Sequence, residues 1–243
     1  MAASYDTIGI DYANLRKPDP RIAAMIDRAL GDARTVLNVG AGSGSYEPEG
    51  RLVTAVEPSI EMIRQRPAMA GPAVQGSAES LPFADDGFDA AMAVNTVHHW
   101  SDKAKGFSEL RRVTRGPIVL LTFDPRFRDI WLLDYFPKLA MLDDANMPQI
   151  ADYEGWLGAV EVTPVPLPHD CADGFLYAYW RRPGAYLDAK VRAAMSSFHA
   201  LGDVTEGLER LRADLDSGAW AKQHGVLLDL EALDVGYRLV RTR

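Results

Sequence analysis

Val36-Leu37-Asn38-Val39-Gly40-Ala41-Gly42-Ser43-Gly44 decides the fold. A short apolar run that passes straight into a glycine cluster is a buried strand ending in a tight turn. Glycines there let the backbone approach a ligand at the carboxyl edge of a sheet, where open α/β folds bind ligands. The spacing is GxGxG. A dinucleotide fingerprint needs a third glycine at position 45, which is Ser45, and this disfavours a nicotinamide dinucleotide. Glu57 follows the next apolar run, Leu52 to Val56, and its carboxylate is able to accept both hydroxyls of a ribose.

Outward from this stretch, strands and helices alternate. Asp19 reads as an N-cap with Pro20 at the first helical position, and Ile22, Met25, Ile26, Ala29 and Leu30 recur at helical spacing until Gly31. Thr35 to Val39 and Leu52 to Val56 are the first strands, and Ser59 to Arg66 is a short helix stopped by Pro67. Ala73 to Gln75, Phe88 to Val94 and Ile118 to Phe123 read as buried strands, and Ser101 caps a helix that turns Phe107, Leu110 and Val113 inward. After Asp124 the pattern is more helical and aromatic, with a strand at Val160 to Val165, helices within 183–200 and 203–217, and a last strand at Tyr237 to Val240. The expected fold is α/β: a Rossmann-like, mainly parallel seven-stranded sheet with helices on both faces and a helical insert late in the chain. Without a repeat or linker, 1–243 reads as one domain: 1–30 an N-terminal lid and helix, 31–125 the ligand-binding core, 126–243 the rest of the sheet plus the aromatic insert.

Composition narrows the function. The 243 residues are 47% hydrophobic and 25% charged, ordinary for a globular chain with a large core. The single cysteine, Cys171, excludes an intrachain disulfide, a multi-cysteine zinc site and a CxxC pair, and fits a reducing compartment. A net charge of −8 disfavours a grip on nucleic acid and makes a small molecule the expected partner. There is no membrane-length apolar run, and the opening Met-Ala-Ala-Ser-Tyr has neither the basic nor the apolar region of a signal peptide, so a cytoplasmic location is expected.

Four segments in order, VLNVGAGSGSY, VTAVEPSIEMI, GSAESLPFADDGFDAAMAVNTVHHW and FSELRRV before a strand, resemble the class I S-adenosylmethionine-dependent methyltransferases, above all the ubiquinone-biosynthesis-like small-molecule group. The resemblance covers roughly the first half, Tyr5 to Phe123. It implies S-adenosylmethionine as cofactor, with Gly40, Ala41 and Gly42 lining its methionine and ribose part, and Glu57 on the ribose hydroxyls. Pro58, Ser59 and Met62 would border the adenine, with Ser77, Ala78 and Glu79 beside its edge. Asn95 would face the methionine portion, and Tyr12 and Arg16 resemble an N-terminal pair that folds over the cofactor, the guanidinium meeting its carboxylate. Three features depart from the family pattern. Asn38 stands where relatives usually carry Asp or Glu, Ser77 where many have Asp, and the seven residues between Gly44 and Leu52, with Pro48 and Gly50, leave no room for the usual long helix.

The expected reaction is methyl transfer to an O, N or C nucleophile of a small molecule. The alternatives are a nucleotide-dependent oxidoreductase and a protein that only binds S-adenosylmethionine. His98 is the first candidate proton acceptor and Tyr12 the second, while His98 and His99 also read as substrate contacts or a polar helix start. Adjacent histidines make a poor metal pair and no compact ligand cluster accompanies them, so no metal is expected. The stretch holding Phe175, Tyr177, Tyr179, Trp180 and Tyr186, and that holding Trp131 and Tyr135, read either as core or as an acceptor wall; Arg181 and Arg182 read as anion contacts or as solvated.

Overall fold

The structure, a computed structural model, describes residues 16–243, so Tyr5 and Tyr12 lie outside the described residues. Its main sheet has seven strands: β1 Thr35–Val39, β2 Leu52–Glu57, β3 Ala73–Gln75, β4 Ala90–Val94, β5 Ile118–Phe123, β6 Val160–Pro164 and β9 Tyr237–Thr242. They lie in the order β3-β2-β1-β4-β5-β9-β6. The first five are parallel, and β9 enters antiparallel between β5 and β6. The strand order reverses between β1 and β4, and that switch point opens a crevice at the carboxyl ends.

The sheet separates two hydrophobic cores because alternate residues of each central strand face opposite sides. Val36, Met92, Val119 and Leu121 pack on one face against Ile22 and Ile26 of α1, Pro20–Ala29. Leu37, Ala91, Ala93 and Leu120 pack on the other against Phe107 and Leu110 of α3, Lys103–Val113, and Tyr153 of α6, Ile150–Leu157. Asp19 caps α1 as its sequence predicts, accepting from the Arg21 amide at 2.9 Å. Between them α2, Ile60–Arg64, follows β2 with Ser59 as its cap.

The second half supplies two of the seven strands and most of the aromatic core. Between β5 and β6 lie α4 Leu132–Tyr135, α5 Lys138–Asn146 and α6; between β6 and β9 lie α7 Ala189–Ala193, α8 Ser196–Leu201, α9 Thr205–Ser217 and α10 Ala219–His224. A two-stranded ribbon, β7 Leu167–Pro168 with β8 Ala232–Leu233, has no signature in the sequence because two residues carry no periodicity.

Several boundaries differ from expectation. β4 starts at Ala90, since Phe88 forms only an isolated bridge to Thr114; β6 stops at Pro164; β9 runs on to Thr242. Asp102, not Ser101, caps α3, accepting from the Lys105 amide at 2.9 Å, while Ser101 gives its own amide and hydroxyl to Glu79. The helix expected within 183–200 is split into a 3-10 turn, Pro183–Leu187, and the short α7 and α8. No helix forms between β1 and β2, in line with the short connection.

Candidate active site

The glycine loop owes its shape to backbone that only glycine adopts freely. Gly40, Gly42 and Gly44 have φ of 69°, 55° and 92°. A Cβ on Gly40 would lie 2.0 Å from the Thr96 hydroxyl, so β1 and the segment after β4 approach as closely as they do only because the side chain is missing. Four of the loop's amides are spent within the protein: Gly40 and Ala41 donate to the Val56 carbonyl, Gly44 to Ala41, and Gly42 to Glu57. Those four positions offer a ligand space and close approach rather than N–H donors.

Glu57 is buried at the end of β2 and held from both sides. Its Oε2 accepts the Gly42 amide at 2.8 Å and its Oε1 the Ser59 amide at 2.9 Å. A carboxylate oxygen accepts more than one donor, and this carboxylate is held in a fixed orientation on the cavity wall.

Asn38 donates to Glu47 at 3.0 Å, and Glu47 forms a bidentate pair with Arg66 at 2.8 and 2.9 Å. Both side chains of that pair are mostly buried. The short β1–β2 connection thus brings its own carboxylate under the glycine loop, with a cation to balance it.

A cavity of about 560 Å³ sits over these groups. Its wall includes Arg16, Gly40, Ala41, Gly42, Glu57, Pro58, Met62, Ser77, Ala78, Glu79 and Asn95, each expected from the sequence. Ser59, also expected, is not on the wall; its side chain accepts from the Met62 amide and caps α2. Glu79 is partly committed as well, because its Oε1 accepts from Ser101 and Asp102 at the start of α3; burial raises a carboxyl, but these bonds hold Glu79 below the usual range.

A second cavity, of about 230 Å³, adjoins the first, and Arg16, Asn95 and His99 border both. Asn95 follows β4 with a φ of 49°, unusual for a residue with a side chain, and its Nδ2 is buried with no hydrogen-bond partner among the described residues. Unsatisfied buried donors are rare. This one belongs to a residue that borders both cavities.

His98 borders the smaller cavity alone, so the histidine at the junction is His99. The two rings lie 3.9 Å apart. Desolvation pushes the His98 imidazole well below its usual range, with the His99 and Lys103 charges adding to it. His99 is exposed by surface area, yet the protein crowds its ring enough that desolvation, with Lys103, lowers it to about 4. Both are neutral imidazoles near pH 7.

Arg16 already has a carboxylate partner within the protein. It pairs with the buried Asp173, Nε to Oδ1 at 2.5 Å, within an isolated antiparallel bridge, and Asp173 also accepts the Tyr46 hydroxyl at 2.9 Å. This ties the start of the described chain to the glycine-loop connection and the aromatic insert.

The aromatic stretch divides. Phe175 and Tyr177 line the smaller cavity with Phe123 and Tyr237, whereas Trp180, Tyr186, Trp131 and Tyr135 are core: the Trp131 indole donates to the Trp180 carbonyl and the Trp180 indole to that of Leu167. Arg181 and Arg182 donate to the carbonyls of Leu230, Cys171 and Ala178, so neither is simply solvated. Asp143 on α5, which nothing in the sequence distinguishes from Asp144 beside it, is buried on the cavity wall and accepts the Tyr177 hydroxyl at 2.9 Å. Burial pushes its carboxyl up to about 6, against the pull of that hydrogen bond and of Arg128. Among the described residues, no group of three or more His, Cys, Asp or Glu could hold a metal.

A solved protein of Anabaena variabilis, described as a candidate methyltransferase from an antibiotic biosynthesis pathway, is 39% identical to this chain, covers 95% of it and 100% of its own length, and superposes with a TM-score of 0.88. The family model described as a methyltransferase domain matches residues 37–117. This chain belongs to the class I S-adenosylmethionine-dependent methyltransferases. Among curated relatives, the chloroplastic 2-methyl-6-phytyl-1,4-hydroquinone methyltransferase 2 of Oryza sativa subsp. japonica is 29% identical over 168 residues, 63% of this chain and 47% of that protein. The chain spans about half the length of the curated relatives it matches first. The cyclase SpnF shares the fold across 98% of this chain and 93% of its own, with a TM-score of 0.56 and 13% identity. The architecture alone therefore does not fix a reaction.

Proposed function

We propose that this methyltransferase moves the methyl group of S-adenosylmethionine to an O, N or C nucleophile of a small molecule, the cofactor taking the larger cavity and the acceptor the smaller. The observation that carries this reading is their shared border at Arg16, Asn95 and His99, where a donor methyl and an acceptor atom could meet. The residues present fit the cofactor. Glu57 would accept the ribose hydroxyls, Gly40 to Gly42 would admit its backbone-hugging part, Met62 and Ala78 would flank the adenine, and the orphaned Asn95 Nδ2 would donate to the methionine portion. Bound there, S-adenosylmethionine would supply an activated sulfonium methyl, which an in-line nucleophile would take up with its lone pair while the carbon–sulfur bond pair stays on sulfur.

The chain's task is then alignment and exclusion of water. Where the acceptor must lose a proton, a neutral imidazole can take it; His99 borders both cavities and is the better placed, with His98 behind it on the acceptor wall. Tyr12, the other candidate, lies outside the described residues. We read 1–243 as one domain, supported by β9 completing the sheet beside β5, and assign the acceptor wall to 126–243 together with Arg16, Asn95 and Phe123. A cytoplasmic setting goes with the lone buried thiol, Cys171; no helix among the described residues is long and apolar enough to cross a membrane.

Calorimetry with S-adenosylmethionine and with NAD, followed by S-adenosylhomocysteine release against an acceptor panel, tests the reading. Saturable binding of the first and turnover with any acceptor support it. Binding of NAD alone sinks it in favour of an oxidoreductase, and binding without turnover leaves a cofactor-binding protein.

A further inference from the structure

We propose that the acceptor is a compact amine whose ammonium group seats on Asp143, away from the atom that receives the methyl. The inference rests on the methyltransferase reading and adds a substrate class to it.

Asp143 borders the acceptor cavity and not the cofactor cavity, so a group held there lies away from the shared border. Its Oδ2 accepts from Tyr177, its Oδ1 has no hydrogen-bond partner among the described residues, and it has no ion-pair partner among them either. Arg128, whose charge it feels, is paired with Asp144 at 2.6 Å. A carboxylate taken out of water without a cation is costly, and a structure that keeps one on a cavity wall leaves the compensation to the ligand.

Among the described residues the rest of the wall carries no competing charge. Arg16 is balanced by Asp173, and the two histidines are neutral. Near pH 7 the cavity thus presents one uncompensated negative charge, which repels anionic acceptors and favours cations. The aromatic lining points the same way. Phe175 packs edge-on against Tyr237 at 4.6 Å, and Phe123 sits 5.1 Å from Tyr177 and 5.5 Å from Tyr237. Aromatic faces carry negative potential and stabilise an ammonium group in a desolvated site. The Tyr237 hydroxyl, on the same wall, has no partner among the described residues and offers a second acceptor. At about 230 Å³ the cavity suits a small molecule.

The test uses three single-ring probes, benzylamine, benzyl alcohol and benzoate, titrated by calorimetry into the full-length protein with and without saturating S-adenosylhomocysteine. Benzylamine is expected to bind at least about tenfold more tightly than either of the others, a preference of about 1.4 kcal/mol. Asp143→Asn, checked for a cooperative melt, is expected to erase that preference. Equal affinity for the three probes, a preference for benzyl alcohol or benzoate, or no saturable binding of benzylamine overturns the proposal on the wild-type protein alone, whether or not the variant folds. An unchanged preference in Asp143→Asn overturns the assignment to Asp143. Failure of the underlying reading looks different, because S-adenosylhomocysteine itself would then show no binding.

Discussion

The Glu57 carboxylate accepts the Gly42 amide at 2.8 Å, and through that bond the last residue of β2 sets the conformation of the glycine loop after β1. With the Ser59 amide on its other oxygen, Glu57 is oriented before any ligand arrives. Glu57→Ala should therefore weaken S-adenosylmethionine binding at least about tenfold, losing both the ribose contacts and the order of the loop. Glu57→Gln is not a mild change: two backbone N–H groups face the two oxygens, and an amide nitrogen turned toward either would meet a donor. Calorimetry on both folded variants checks this, and an affinity within twofold of wild type in Glu57→Ala would remove Glu57 from the site.

Asp173 joins three segments by taking the Arg16 guanidinium and the Tyr46 hydroxyl while almost fully buried. Asp173→Ala would take the carboxylate away from a mostly buried guanidinium and a buried hydroxyl, so the expected loss is about 3–5 kcal/mol. For a chain of this length that corresponds to a fall in Tm of roughly 10 °C. Asp173→Asn keeps an acceptor and should lose less. Scanning calorimetry of the two variants decides it; equal melting of Asp173→Ala and wild type would mean that the bridge contributes nothing.

Asp143 gives a pH dependence of uncommon sign. Its carboxyl is raised by burial to about 6, so between the ordinary carboxylate range and pH 6 the folded protein holds a proton that the unfolded chain has released. Stability from this group is fully present below about pH 4 and is lost as pH rises through 6. The groups around it are the Tyr177 hydroxyl, the Arg128 and Asp144 charges, and, across the cavity, Tyr237, His98 and His99. The histidines, lowered in the folded state, work the other way and destabilise the protein as pH falls below the ordinary imidazole value. Subtracting the Tm profile of Asp143→Asn isolates the carboxyl. Wild type should lose Tm relative to the variant between pH 4 and 6, and a flat difference would show that the carboxyl titrates normally.

How much was legible in the sequence follows from what each element depends on. The central strands were readable because, as in Ile118–Phe123, they are buried and almost continuously apolar, and the wall of the larger cavity because glycines and Glu57 mark themselves by type and spacing. The wall of the smaller cavity was mostly hidden. Asp143 sits in the sequence beside an exposed Asp144, and only the packing of α5 against Tyr177 separates a buried carboxylate from a solvated one. Arg16 was found but its partner was not, since nothing local connects residues 157 positions apart. The aromatics gave the clearest ambiguity: Tyr177 and Trp180 are three positions apart with the same chemistry, yet one borders the cavity and the other closes the core.

Tyr177 is the residue on which wall and core meet, and the last prediction turns on it. It is 1% exposed, packs against Phe123 and donates to Asp143, while still bordering the acceptor cavity. Tyr177→Ala should cost about 3–5 kcal/mol by opening a void in the core, which would lower every activity through unfolding. Tyr177→Phe separates the roles, because it keeps the ring and removes only the hydroxyl. A net loss of about 1–2 kcal/mol is expected for that bond to a carboxylate, with S-adenosylmethionine affinity within twofold of wild type, since Tyr177 does not border the cofactor cavity. The acceptor's KM should change, because Oδ2 of Asp143 is then open to the ligand. Melting temperature, cofactor affinity and acceptor kinetics measured on one preparation of each variant resolve the question. A destabilised Tyr177→Phe with an unaltered KM would place Tyr177 in the core alone and move the acceptor contacts to Phe175 and Tyr237.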